Sequence, residues 1–166
     1  VILVAPPFSR KEMLNAFREH FLGTTKAGKK CVIANEDDIQ FQYDATTKIL
    51  TANSVNNLQI LNEVLGYKIS FNLIDFQLKY SKISLSNSFL LKSFFAGTSF
   101  YEDVSNEAVK AKNKRIESYK GSSKHFFKNL VDEKWSKKDF LLFDGSFGTD
   151  PKSQFKISKT DFNYNV

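Results

Sequence analysis

Apolar residues near the start of the chain recur at helical spacing and then give way to an alternating pattern. The helical stripe consists of Met13, Leu14, Phe17 and Phe21. Ser9 followed three residues later by Glu12 forms a capping box, and Gly23 is placed to end the helix in the left-handed conformation. Residues 1–7, which end in two prolines, predict a short strand before this helix.

From residue 39 to residue 101 the apolar positions alternate with polar ones, which is typical of strands with one buried face. The apolar phase shifts by one position after Leu73, so one long strand containing a β-bulge is predicted there. The predicted strands are 39–43, 49–53, one around 58–60, 67–80 and one from 83 to 91. Because no connection between them is long enough for a helix, we expect an antiparallel meander.

Helical patterns return over residues 105–120 and 122–134, joined through Gly121-Ser122. Strands are predicted at Phe140–Phe143 and at Gln154–Ser158, within a turn-rich tail. The expected class is therefore α+β. Its antiparallel meander of about five to seven strands has one face covered by the N-terminal helix and the C-terminal helix pair.

Length and composition fit an ordinary globular chain with a single domain over residues 1–166. The net charge of +6 would suit an anionic partner, but the lysines are scattered, which favours a solvated surface over nucleic-acid binding. Cys31 is the one cysteine, which excludes an intrachain disulfide and a cysteine-based zinc cluster. No apolar run approaches the length of a membrane span, and no cofactor motif is present.

Arg115 and Tyr119 fall on the apolar stripe of the first C-terminal helix. A guanidinium in that position needs an acceptor, because an unpaired buried charge is very costly. We favour an internal partner such as Asp44 or Asp75, and a bound carboxylate or phosphate remains the functional alternative.

His125, one of two histidines, lies three residues after Ser122, the expected N-cap of the next helix. It is predicted to face away from the apolar stripe of that helix, and so away from Arg115 and Tyr119. A hydrolase using His125 with Cys31 or Ser122 is the enzymatic alternative, and His20 is a second possible partner of the thiol. No pair of ligand-type residues has the spacing of a metal site.

A series of short motifs, weak individually, occurs in a specific order between residues 8 and 145. It comprises Phe21-Leu22-Gly23-Thr24, Cys31-Val32-Ile33-Ala34-Asn35, Ile39-x-Phe41-x-Tyr43-Asp44, Leu58-x-Ile60-x-Asn62, Leu65-Gly66-Tyr67-x-Ile69-x-Phe71 and Arg115-x-x-x-Tyr119-x-Gly121-Ser122-x-x-His125-Phe126. The series resembles the domain that follows a transthyretin-like sandwich in bacterial carboxypeptidase-like regulatory domain-containing proteins. Residues 146–166 form an irregular tail outside the resemblance.

The resemblance implies an exported protein of a Gram-negative envelope, periplasmic or at the cell surface, with no established enzymatic activity. It carries over no catalytic residues, and the histidines lack the HxxE arrangement of a metallocarboxypeptidase. We therefore expect a non-enzymatic interaction or structural module whose partner is an envelope protein or glycan. Because the chain begins without methionine, we also expect that a leader or upstream domain has been removed.

Overall fold

A computed structural model describes residues 7–106, 108–159 and 164–165, and for 108, 159, 164 and 165 it describes only the backbone. The strand predicted for residues 1–7 lies, except for Pro7, outside the described residues. The chain divides into two compact units, residues 1–111 and 112–166.

The first unit is built on a six-stranded antiparallel sheet with a helix on one face. Its helices are α1 (Arg10–Phe21) and α2 (Lys26–Lys29). Its strands are β1 (Val32–Ile33), β2 (Ile39–Asp44), β3 (Ile49–Ser54), β4 (Leu58–Asn62), β5 (Tyr67–Tyr80) and β6 (Leu90–Asp103), with single 3-10 turns at Glu36–Asp38 and Asn87–Phe89.

The six strands lie in four rows that follow one another in chain order, which confirms the predicted meander. The first row consists of β1 and β2, the second of β3 and β4, the third of β5 and the fourth of β6. β1 pairs with β4 and β2 pairs with β3 in one continuous register, so each of the first two rows is a long strand with a short interruption. β4 and β3 then pair with one edge of β5, and β6 pairs with its other edge. The register of β5 against β6 shifts between Leu73 and Asp75, and the predicted β-bulge is confirmed there.

The capping box that begins α1 is also confirmed, because Ser9 and Glu12 bond reciprocally at the first turn. Gly23 follows the helix with a φ of +81°, as a C-terminal glycine should. Phe17 is fully buried and its ring packs against those of Phe41 and Phe76, which joins α1 to the sheet. The apolar stripe of α1 therefore meets the apolar face of the sheet.

Two arginines of α1 tie the helix to the connection between β1 and β2. Arg18 forms an ion pair with Glu36 at 2.6 Å and donates to the Cys31 carbonyl oxygen. Arg10 donates to the carbonyl oxygens of Ile39 and Glu36. These bonds satisfy the carbonyl groups of Cys31 just before β1, of Glu36 in the connection and of Ile39 at the start of β2.

The strand predicted from residue 83 to residue 91 is wrong in position. Residues 81–89 form a loop in which the N–H of Ser81 donates to the carbonyl of Phe89, and β6 begins only at Leu90. Ser86 caps the 3-10 turn of this loop and thereby withdraws the local backbone from the ladder. The segment 94–101 forms the centre of the 14-residue strand β6.

The second unit is formed by short elements around aromatic side chains. It contains most of α3 (Ala108–Tyr119), together with α4 (Ser123–Val131), β7 (Phe143–Asp144), β8 (Phe147–Gly148), α5 (Pro151–Gln154), β9 (Ser158–Lys159) and β10 (Tyr164–Asn165). β7 pairs with β8, and β9 with β10, as separate two-stranded ladders.

Both strand predictions for the second unit lie too early in the chain, since only their last residues, Phe143 and Ser158, belong to strands, β7 and β9. Phe140 lies before β7, and its ring packs on those of Phe126 and Trp135 instead of entering a ladder. Gln154 ends the short helix α5, at whose start the Asp150 carboxylate accepts from the Lys152 N–H. An aspartate directly before a proline favours this helix start over a strand.

Candidate functional site

The junction between α3 and α4 is held by hydrogen bonds to His125 and Ser122. Gly121 has a φ of +76°, which lets the chain reverse direction without steric strain. The Ser122 hydroxyl oxygen accepts a hydrogen bond from the backbone N–H of His125 at 3.2 Å, so the predicted N-cap is confirmed. The His125 Nδ1 atom accepts from the Gly121 N–H, also at 3.2 Å.

These contacts assign the tautomer of His125. Because Nδ1 accepts a hydrogen bond, the ring proton resides on Nε2. Nε2 lies 3.3 Å from the Nδ2 atom of the Asn129 side chain. Both ring nitrogens therefore have a polar neighbour at the junction.

The predicted separation of His125 from Tyr119 is wrong. The His125 ring lies 4.9 Å from the Tyr119 ring, tilted by 43°, and 4.9 Å from the Phe140 ring on another segment. We call the cluster of Tyr119, His125, Phe126, Trp135 and Phe140 the aromatic corner. Helical phase within α4 missed this contact because the Gly121 turn brings the end of α3 back to the first turn of α4.

Arg115 lies on α3 one turn before Tyr119, and both side chains are half-buried. With Ala111, they are the least exposed positions along the described side chains of α3, whereas Ile116 is 46% exposed. The expectation that Arg115 and Tyr119 share the less exposed side of the helix is thus confirmed. The partner chosen for Arg115, a sheet carboxylate or a bound anion, stays a prediction.

Asp44 organises the turn between β2 and β3. Its carboxylate accepts hydrogen bonds from the Thr47 hydroxyl at 2.8 Å and from the N–H groups of Thr46 and Thr47. These bonds, with the Thr47 hydroxyl as the largest contribution, lower the pKa of Asp44. Asp44 therefore has a structural role in its own hairpin, as a turn aspartate commonly does.

Cys31 is only 6% exposed and its thiol lies 3.5 Å from the Ala27 carbonyl oxygen. Burial raises the pKa of the thiol, although the charge of Arg18 opposes that shift. His20 has a different partner, the side-chain amide oxygen of Asn87 at 2.9 Å. A raised pKa disfavours the thiolate, which is the nucleophilic form.

An open cleft of about 550 Å³ lies beside the aromatic corner in the second unit. Trp135, Phe155 and Ile157 give it an apolar wall. Lys137, Asp150 and Glu133 place charges of both signs around it. This mixed lining does not select a single class of ligand.

Strand β6 presents an apolar surface that sequence reasoning did not single out. Large apolar side chains are exposed along it: Leu91 63%, Phe94 43%, Phe95 42%, Phe100 72% and Tyr101 56%. Among the described strands β6 pairs only with β5, so its other edge carries no strand. The signal available in the sequence was that aromatic residues occupy consecutive positions 94–95 and 100–101, which a strand with one buried face cannot hide.

Within the part of the chain that the structure describes, no three histidine, cysteine, aspartate or glutamate side chains are grouped to hold a metal ion. None of the described helices is both long and apolar enough to cross a membrane. Compared with protein-family models, curated proteins and solved structures, the chain matches none of them.

Proposed function

We propose that the chain is a non-enzymatic interaction module of an exported, multidomain envelope protein. The observation that supports this proposal is the exposed strand β6, with five large apolar side chains between 42% and 72% exposed. Soluble proteins rarely expose contiguous apolar surface unless it meets a partner. The resemblance to the domain of carboxypeptidase-like regulatory domain-containing proteins supports the exported, periplasmic or cell-surface setting.

The chemistry of β6 favours a protein partner over a glycan. An edge strand offers a row of backbone N–H and C=O groups that another strand satisfies by β-augmentation. The neighbouring aromatic rings add apolar area on both sides of that edge. Nucleic acid is less well matched, because Lys92 is the one basic residue of β6.

Site-specific photo-crosslinking tests the interaction module. A photoreactive phenylalanine analogue replaces either Phe100 on β6 or Val55, which is 87% exposed in the connection between β3 and β4. The labelled chain is mixed with an envelope fraction, and crosslinked proteins are identified by mass spectrometry. We expect crosslinks from position 100 that excess unlabelled chain competes away and that position 55 lacks. Equal crosslinking from both positions, or none, contradicts the proposal.

An activity measurement distinguishes the hydrolase alternative from the non-enzymatic interaction module. It needs His125 and Ser122, or His125 and Cys31, to act on an activated ester. The Ser122 oxygen already accepts from the His125 N–H, and the pKa of the Cys31 thiol is raised. We expect ester hydrolysis by the chain to equal that of the His125→Ala variant. A rate that His125→Ala abolishes while the variant stays folded supports the hydrolase instead.

A further inference from the structure

Strand β6 has the properties of an edge strand that pairs with a further strand along its free edge. It is 14 residues long and contains no proline. The register against β5 shifts twice: the extra residue after Leu73 lies in β5, whereas near the start of β6 the extra residue is Leu91 of β6 itself. From Lys92 to Asp103 β6 continues without an extra residue. Proteins normally protect a solvent-exposed edge with lysines, proline or a bulge in the edge strand, and the stretch from Ser93 to Asp103 contains none of these.

Symmetry restricts how a second copy can pair with this edge. Opposite residues in an antiparallel ladder alternate between hydrogen-bonded and non-hydrogen-bonded pairs. A two-fold axis perpendicular to a continuous sheet must therefore pass between two copies of the same residue. Ala96, Gly97 and Thr98 are the possible central residues near the middle of β6.

Among these three registers, the one centred on Gly97 pairs opposite charges and aromatic side chains on one face of β6. We infer that a second copy of this chain pairs with β6 antiparallel about an axis at Gly97, as a deeper form of the proposed interaction module. In that register Lys92 faces Glu102 of the other copy, and Phe94 faces its Phe100. The two-fold axis repeats each of these pairs, as an isologous interface requires.

The neighbouring registers lose this complementarity. An axis at Ala96 places Lys92 opposite Phe100, and an axis at Thr98 places Phe94 opposite Glu102. Opposite charges and aromatic pairs facing each other across a ladder are stabilising, whereas a charge facing an aromatic ring forgoes both. On the face of β6 that carries Lys92, Phe94, Phe100 and Glu102, charge and aromatic pairing thus select the Gly97 register.

The charges next to Lys92 within its own sheet also favour pairing with Glu102 of a second copy. Its partner across the ladder in β5 is Lys79, a like charge, whereas Glu102 has Lys68 as its partner. Lys92 therefore gains an opposite charge from the second copy that its neighbour in β5 does not supply. Phe94 and Phe100 lie on the same face of β6, opposite the face on which Phe95 contacts Phe21 of α1.

Close packing inside the first unit leaves no room for a side chain at Gly97. A Cβ atom at Gly97 would lie 2.4 Å from the Asn72 carbonyl oxygen and 2.4 Å from the Phe71 ring. The glycine is therefore explained within one copy, and the inference rests on the charged and aromatic pairs on either side of it.

Sedimentation velocity over a concentration series, from about 1 µM to about 500 µM, tests this pairing. We expect a monomer–dimer equilibrium in the unmodified chain. Glu102→Lys or Lys92→Glu each places like charges opposite one another twice, and should raise the dimer dissociation constant at least about tenfold. The double variant, Lys92→Glu with Glu102→Lys, restores both pairs and should recover the dimer.

Recovery in the double variant separates a lost contact from a failure to fold. Val55→Lys, which adds a charge at an exposed position outside β6, is the control and should leave the equilibrium unchanged. A chain that is monomeric throughout the series overturns the inference. So does a dimer that both single variants leave intact, or one that the double variant does not restore.

The crosslinking experiment distinguishes failure of the dimer from failure of the interaction module. A photoreactive group at position 100 that labels the chain itself supports the dimer. Specific labelling of another protein without self-labelling overturns the dimer and keeps the module. Absence of specific labelling of any protein contradicts both.

Discussion

Two side chains of the first unit, Tyr80 and Cys31, show how burial raises the pKa of an acidic group. Tyr80 is 1% exposed, and its hydroxyl group finds no hydrogen-bond partner among the described residues. Burial, reinforced by the nearby Tyr43 and Glu19, raises the pKa of Tyr80 to about 12. Cys31 shows the same effect in a thiol. At both residues the neutral form is the one that the core accommodates.

The lack of a partner for the Tyr80 hydroxyl predicts an unusual response to its removal. Tyr80→Phe should leave the free energy of unfolding at pH 7 unchanged or raise it by up to about 1 kcal/mol, because an unsatisfied buried group is lost. Tyr43→Phe is the matched control, since the Tyr43 hydroxyl oxygen accepts from the Ser84 N–H at 3.4 Å. That variant should be destabilised or neutral in urea denaturation.

The raised pKa of Tyr80 also sets a pH window. The folded-state pKa of about 12 exceeds the ordinary value of 10.0, so the stability that the neutral phenol contributes is full below pH 10.0 and is lost as pH rises toward 12. Tyr80→Phe should therefore gain stability relative to the unmodified chain across that window. A stability difference that stays constant from pH 7 to about pH 11 contradicts the assignment.

At the scale of elements, short polar signals decide where helices begin and where strands end. Ser9 caps α1, and Ser122 caps α4, as the sequence predicts. Ser86 and Asp150 cap the short helices of the loop before β6 and of the tail, and there they displaced predicted strands. These segments were mispredicted because apolar alternation over five to nine residues does not outweigh a local cap.

Loss of the α4 cap tests this account. Ser122→Ala leaves the His125 N–H without its acceptor and should lower the free energy of unfolding by about 1 kcal/mol. The measurement is urea denaturation followed by fluorescence of Trp135, the one tryptophan in the chain, which packs against Phe126 of α4. Ser123→Ala, at the exposed next position, is the control and should change stability by less than half as much. Equal losses in the two variants argue against the cap.

At the scale of the whole molecule, each of the two compact units has its own cluster of packed side chains, buried in the first unit and half-buried in the second. In the first unit Phe17 joins α1 to the sheet, and in the second Phe126 lies at the centre of the aromatic corner. The single domain expected from length and composition stays a prediction, and the cooperativity of unfolding decides it.

A core variant in the first unit, read by two probes, tests that cooperativity. Phe17→Ala removes a fully buried ring and should cost about 3–5 kcal/mol in the first unit. Because each unit has its own core, we expect the transition of the sheet in circular dichroism to shift while the Trp135 fluorescence transition stays in place. The control Val55→Ala, at an 87% exposed position, should move neither. Coincident shifts of both probes indicate a single cooperative domain.

The sequence by itself determined the α+β class, the meander, the bulge after Leu73 and the N-caps of α1 and α4. These features depend on residues that are close in the chain, such as Ser9 with Glu12, or on periodic patterns sustained over many positions. Only the tertiary structure decided that His125 packs between Tyr119 and Phe140, and that the aromatic strand β6 is the exposed outer row of the sheet. Alternation shows which residues share a face, but whether that face is covered depends on packing between segments distant in the chain.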